Sequence, residues 1–119
     1  MVLVGYWLAL VIGTHIPRTP HVIMSLGTSD KVLHFSAYAG LALLVCLYWS
    51  LDRTFGVRQA LGVVLLLSAF GAVDEVTQIP VGRECDRYDW LADVSGTLLG
   101  ISIFLAARAI VRWSARRIR

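Results

Sequence analysis

Four stretches of this chain carry almost no charge, and together they leave little else to fold. Residues 2–16, 33–51, 60–79 and 90–111 are apolar runs set apart by polar punctuation. Crossing a hydrocarbon layer of roughly 30 Å takes about 20 helical residues, and a helix satisfies its own backbone where no water can. Four such runs nearly exhaust a chain of 119 residues. The expected fold is therefore all-α, a polytopic transmembrane bundle of about four helices forming one membrane domain over residues 1–119. No room remains for a separate soluble catalytic domain. Composition agrees, with 16% charged residues and a mean hydropathy of +0.70, where a soluble domain carries about 25% charged residues. The first run is short for a full crossing. It lacks a basic leading stretch, and no small-residue cleavage site precedes Thr14-His15-Ile16-Pro17, so it reads as a retained helix.

The connectors set the expected boundaries and orientation. Pro17-Arg18-Thr19-Pro20 follows the first run, and a polar stretch then leads to Ser29-Asp30-Lys31, where Ser29 or Asp30 is expected to cap the second helix. Residues 52–58 form a tight polar turn, and residues 80–89 a longer loop. Counting Lys and Arg places Arg53, Arg58, Arg108, Arg112, Arg116, Arg117 and Arg119 on one side, against Arg18, Lys31, Arg83 and Arg87 on the other. Seven against four puts both termini in the cytoplasm. The basic segment 112–119 then reads as an inner-face anchor, and nucleic acid is not an expected partner. Cys46 lies in an apolar run and Cys85 in a polar one, so two free thiols are expected.

Polar groups inside the apolar runs mark the candidate site. A carboxylate near the bilayer centre costs at least about 2.5 kcal/mol on insertion scales, so a helix that keeps several of them needs a reason. The third run ends Asp74-Glu75-Val76-Thr77-Gln78, with Asp74 roughly 9 Å inside the boundary marked by Pro80. Asp74 and Gln78 share a face, and Glu75 borders it. The fourth run opens with Asp89 and Asp93 and continues through Gly96 and Gly100 on the same stripe. Gly96 and Gly100 make a GxxxG, which lets another helix backbone approach closely. Asp30, His34 and Tyr38 repeat at intervals of four at the start of the second run. In the orientation above, all three helix ends lie at the outer face, with Arg83 and Arg87 as the nearest cations.

The motif Asp30-Lys31-x-x-His34-Phe35-x-x-Tyr38, followed by Asp74-Glu75-x-x-Gln78 and then Arg83, Asp89, Gly96 and Gly100, resembles the VanZ-like family in order and spacing over most of the chain. One position departs, since Asp93 stands where the family commonly has Asn. The resemblance implies an integral membrane protein of the bacterial cell envelope, placed in the cytoplasmic membrane as a multi-pass protein. The family takes its name from a determinant of resistance to teicoplanin, a glycopeptide acting on cell-wall precursors outside the membrane. It brings no settled reaction with it.

The residues and the resemblance together give a working expectation. An outward-facing polar site takes a membrane lipid or a lipid-linked envelope precursor, with His34, Asp74 and Glu75 handling protons. Arg83 holds a phosphate or carboxylate, and Tyr38, Gln78, Asp89 and Asp93 complete the binding set. The rival reading is a non-enzymatic scaffold or accessory subunit whose polar cluster only locks the helices. A proton-relaying transporter subunit is a third, and four helices without internal repeats argue against a complete transporter unless it oligomerises. No GxSxG, phosphate-binding glycine loop or HExxH is present. No cofactor is expected, and no spacing along the chain marks a metal site.

Overall fold

A computed structural model describes residues 1–16, 20–52 and 54–117, with the backbone alone for residues 20–29 and 52. The connector residues 17–19, together with Arg53 and Arg119 of the charge count, lie outside the described residues, as does the side chain of Ser29. Helix α1 spans Val2–Thr14, α2 Pro20–Asp52, α3 Val57–Thr77 and α4 Arg87–Arg117, with one 3-10 turn at Ile79–Val81. No strand occurs among the described residues. The all-α expectation holds, with three helices long and apolar enough to cross a membrane and a fourth, α1, of only 13 residues.

Every helix differs from the sequence reading at an end. Helix α1 stops at Thr14, α3 runs Val57–Thr77 and takes up part of the expected turn over residues 52–58, and α4 runs on to Arg117. Two starts bear on the site. Helix α2 begins at Pro20, ten residues before Asp30, so Asp30 sits inside a helix rather than capping one. A proline at a helix start forfeits nothing, because the first N–H groups have no intrahelical acceptor. Helix α4 begins at Arg87, and Asp86 rather than Asp89 opens it. The Asp86 carboxylate accepts the Tyr88 N–H at 2.8 Å, and its carbonyl accepts those of Asp89 and Trp90. Asp89 thus lies within the first turn, buried instead of looped.

The helices pack polar groups inward and apolar groups outward. Leu8, Leu33, Leu65, Val73, Leu98 and Ile110 are exposed, while Asp74, Glu75, Gln78 and Asp93 are buried. That inversion is the signature of a chain whose solvent is lipid. Ser95 and Ser102, on exposed positions of α4, bond the carbonyls of Leu91 and Leu98 four residues back, so their hydroxyls ask nothing of the surroundings.

The core is built on α2 and α4. Gly96 and Gly100 bring α4 against the backbone of α2: a methyl group on Gly96 would collide with the Phe35 carbonyl, and one on Gly100 with that of Ala39. The contact expected of the GxxxG is thus made with α2. Toward the far end, Leu41, Val45 and Cys46 of α2 meet Val63 and Leu67 of α3 and Phe104 of α4 in one apolar cluster. Phe55 closes it with its ring 4.7 Å from that of Phe104, and Arg108 donates to the Phe55 carbonyl at 3.1 Å. Helix α1 is held by the Tyr6 hydroxyl, which donates to the Ala37 carbonyl at 3.0 Å, and by Trp7 against Phe70. Both cysteines are free, as expected.

Candidate functional site

Proline and glycine fix the turn that organises the site. Helix α3 stops at Thr77, whose hydroxyl bonds the Asp74 carbonyl at 2.9 Å, and Pro80 prevents its continuation. Gly82 then adopts φ +80, a left-handed conformation that glycine enters without steric cost. The turn returns the Arg83 N–H to the Gln78 carbonyl at 3.3 Å and carries the chain toward α4.

The polar residues of four helices fall into two adjoining groups. In the first, both oxygens of Asp74 are engaged, one by Thr14 Oγ1 at 3.1 Å and the other by Gln78 Nε2 at 3.0 Å. His15 stands 3.8 Å from the same carboxylate and bonds Thr77 at 3.1 Å. Arg83 donates to the Thr14 carbonyl at 2.8 Å and to Asp30 at 3.4 Å. The end of α1 is thereby tied to α2, to α3 and to the loop.

The second group joins α2, α3 and α4. His34 Nδ1 lies 2.9 Å from Asp93 Oδ1 and 4.0 Å from Glu75 Oε1, with all three side chains buried. Glu75 Oε2 accepts the backbone N–H of Asp86 at 3.1 Å. Lys31 spans Asp86 at 2.7 Å and Asp89 at 2.8 Å, closing the group on its exposed side. The Lys31 ammonium, followed by the Tyr88 amide, holds the Asp86 carboxyl below its usual range.

Three buried polar atoms stand apart from this pairing. Tyr38 Oη, Glu75 Oε1 and Asp93 Oδ2 have no hydrogen-bond partner among the described residues. A methyl group at Gly71 would lie 3.1 Å from Asp93 Oδ2 and 3.4 Å from both the Tyr38 hydroxyl and the Trp90 ring, so glycine there is what lets these groups pack against α3. A crevice of about 200 Å³ runs between α1 and α2, lined by Leu10, Leu33 and Ala37 and by the polar Thr14, Asp30, His34 and Tyr38.

The eight residues singled out from the sequence therefore occupy one end of the bundle: His34 and Tyr38 on α2, Asp74 and Glu75 on α3, Gln78 and Arg83 in the turn, Asp89 and Asp93 on α4. Arg87 does not join them, since it is exposed and its guanidinium lies over the Tyr88 ring at 5.3 Å. Thr14, His15 and Asp86 were not among the expected site residues. Asp86 had a readable signal, an Asp immediately before a helix start. Thr14 and His15 had none, because only the docking of α1 brings them to Asp74.

Helices apolar outside, with a knot of acids at one end of their interior, define an integral membrane protein with a buried polar site. Comparison of the sequence with protein families gives the particular one. A family model described as VanZ/LLP1 matches residues 2–110, and the chain belongs to the VanZ/LLP1 family. Comparison with curated proteins and with solved structures gives no match.

Proposed function

We propose that this protein binds the polar headgroup of a membrane lipid or lipid-linked envelope precursor at the His34–Glu75–Asp93 cluster and does acid–base chemistry on it. The observation that carries the reading is the set of unpartnered buried atoms, Tyr38 Oη, Glu75 Oε1 and Asp93 Oδ2, inside a cluster whose other groups are paired. A buried polar atom left without a partner costs about 1–3 kcal/mol, a cost that a bound headgroup removes. The crevice between α1 and α2 supports the same reading. It offers apolar walls to an acyl chain and polar side chains, His34 among them, to a headgroup.

In this reading the protein lies in the bacterial cytoplasmic membrane with both termini inside, and the cluster meets the outer leaflet. Asp93 orients His34 through Nδ1, leaving the other ring nitrogen to take or give a proton, and Glu75 is the second proton carrier. Tyr38 and Asp89 bind the headgroup beside them. Asp74 and Gln78 hold the end of α3, and Arg83 keeps α1 over the site while offering its fork of donors to a phosphate.

A scaffold role has its own supporting observation, since Asp74, Arg83 and Lys31 each tie separate segments together. Tyr38→Phe separates the two. It removes only a hydroxyl that bonds nothing, so a scaffold keeps its stability and its function. The headgroup reading expects a Tyr38→Phe protein that is as stable as wild type in detergent but retains less lipid, with Glu75→Gln giving a larger loss. Equal lipid retention and turnover in wild type and both folded variants overturn it.

A further inference from the structure

His34, Glu75 and Asp93 come from three different helices, yet one donor atom from each lies within 4.8 Å of the others, and all three residues are buried. We infer that this triad is a binding site for one divalent cation, Zn²⁺ or Mn²⁺. Geometry and charge carry it; it draws on the same Glu75 oxygen as the lipid reading, and with an ion bound His34 and Glu75 are its ligands in place of proton carriers.

Donors about 2.1 Å from a common ion stand roughly 3.4 Å apart at the tetrahedral angle of zinc, and roughly 3.0 to 4.2 Å apart between right angles and opposite positions in an octahedral shell such as that of manganese. The separations here, 2.9 Å from His34 Nδ1 to Asp93 Oδ1 and 4.0 Å to Glu75 Oε1, fall on that scale. Both carboxylates also keep an oxygen without a hydrogen-bond partner, Glu75 Oε1 and Asp93 Oδ2. Of these, Glu75 Oε1 is the one that faces His34 Nδ1, in side chains 3% exposed; Asp93 would use Oδ1, the oxygen that His34 now bonds, once a cation takes the place of the shared proton.

Charge points the same way. The cations near the cluster are committed elsewhere: Lys31 to Asp86 and Asp89, and Arg83 to Thr14 and Asp30. Glu75 and Asp93 are left with one imidazole between them. Two carboxylates held together out of water persist where positive charge sits between them. A dication with two carboxylates and a neutral imidazole gives zero net charge, the least costly state in a low-dielectric interior. Binding replaces the proton between His34 Nδ1 and Asp93: from an imidazolium that proton leaves to solvent, and from a neutral Nδ1–H ring it moves to Nε2, so the ligating ring is neutral with its proton on Nε2 in either case.

The donor set narrows the ion. One imidazole and two carboxylates suit zinc or manganese, and the lack of a thiolate disfavours copper(I). Three protein donors leave a position open on a zinc ion, as at sites that bind a further ligand. If the lipid reading also holds, that position is where an anionic headgroup meets a cluster otherwise rich in acids.

The test uses full-length protein in detergent, stripped with a chelator and then titrated with Zn²⁺ alone, with bound metal measured by elemental analysis. The expected result is one ion per chain, weakened at least about tenfold in Glu75→Gln and in Asp93→Asn, a scale that even outer contacts of a metal site reach. Thermal stability should rise with Zn²⁺ concentration in wild type only. Should the variants fail to fold, Mn²⁺ bound to wild type must show pulsed-EPR coupling to a histidine nitrogen. No retained ion, equal retention by wild type and folded variants, or bound Mn²⁺ without that coupling overturns the inference. Lipid retention measured in the same stripped samples keeps the two proposals apart, because metal without specific lipid, or lipid without metal, defeats only one of them.

Discussion

His34 Nδ1 and Asp93 Oδ1 stand 2.9 Å apart between α2 and α4, and Asp93 is fully buried. The pair sits one turn above the glycines that let those helices touch, so their close approach and this bond depend on each other. Asp93→Asn keeps an oxygen in place for His34. It should change unfolding stability by less than about 1 kcal/mol. Asp93→Ala leaves His34 without its partner and should cost about 1–3 kcal/mol. Thermal unfolding in one detergent compares the two.

Glycines on this protein are not equivalent. Gly96→Ala drives a methyl group into the Phe35 carbonyl, and the helices must separate to admit it. A loss of about 1–3 kcal/mol is expected, the usual cost of overpacking. Gly13→Ala in α1 meets nothing within 4 Å and should be neutral or slightly stabilising, since alanine is the better helix former. Chemical denaturation of both variants in mixed micelles checks the contrast.

The turn after α3 should be sensitive at one residue. Gly82 has φ +80, where an L side chain costs about 1–2 kcal/mol. Gly82→Ala should lose that amount and loosen Arg83 from the Thr14 carbonyl. Arg83→Ala removes the tie outright. Both should speed amide exchange at the end of α1, which hydrogen-exchange mass spectrometry resolves, while α2 and α4 stay protected along their shared core.

Acid should act on the site through Asp86. Its carboxyl lies below the usual range because Lys31 and the Tyr88 amide favour its charged form. A depressed folded-state value means that the contribution is present above the ordinary aspartate pKa of about 3.9 and is lost as pH falls through the lower folded value. Stability should therefore be insensitive to this group near neutrality and decline below about pH 4. Lys31→Met should return Asp86 toward the ordinary range in a ¹³C-detected titration.

Much of this arrangement was legible along the chain, for a physical reason. Lipid tolerates few polar groups, so Asp74, Glu75 and Asp93 stand out against apolar neighbours, and a period of four places His34 with Tyr38 on one face of α2. Helix ends were less legible. The stretch before Asp30 reads as a polar connector, yet it holds Val22, Ile23, Met24 and Leu26, and α2 continues back to Pro20 through Gly27 and its hydroxyl neighbours, which lower helix propensity without stopping a helix. Pairings between helices were the least visible. Nothing along the chain says that Thr14 serves Asp74, or that Arg83 meets α1 while Arg87 turns to Tyr88. The His34, Glu75 and Asp93 donors likewise lie on three helices, 41 and 18 positions apart, so no local spacing marks them as a metal site.

The central claim is that the buried cluster receives a lipid headgroup and does more than clasp four helices. Native mass spectrometry with lipid identification, on wild type and Glu75→Gln purified alike, tests it most directly. The account predicts one lipid species retained at one per chain by wild type and lost from the variant. The same mixture of bulk membrane lipids on both proteins would contradict it.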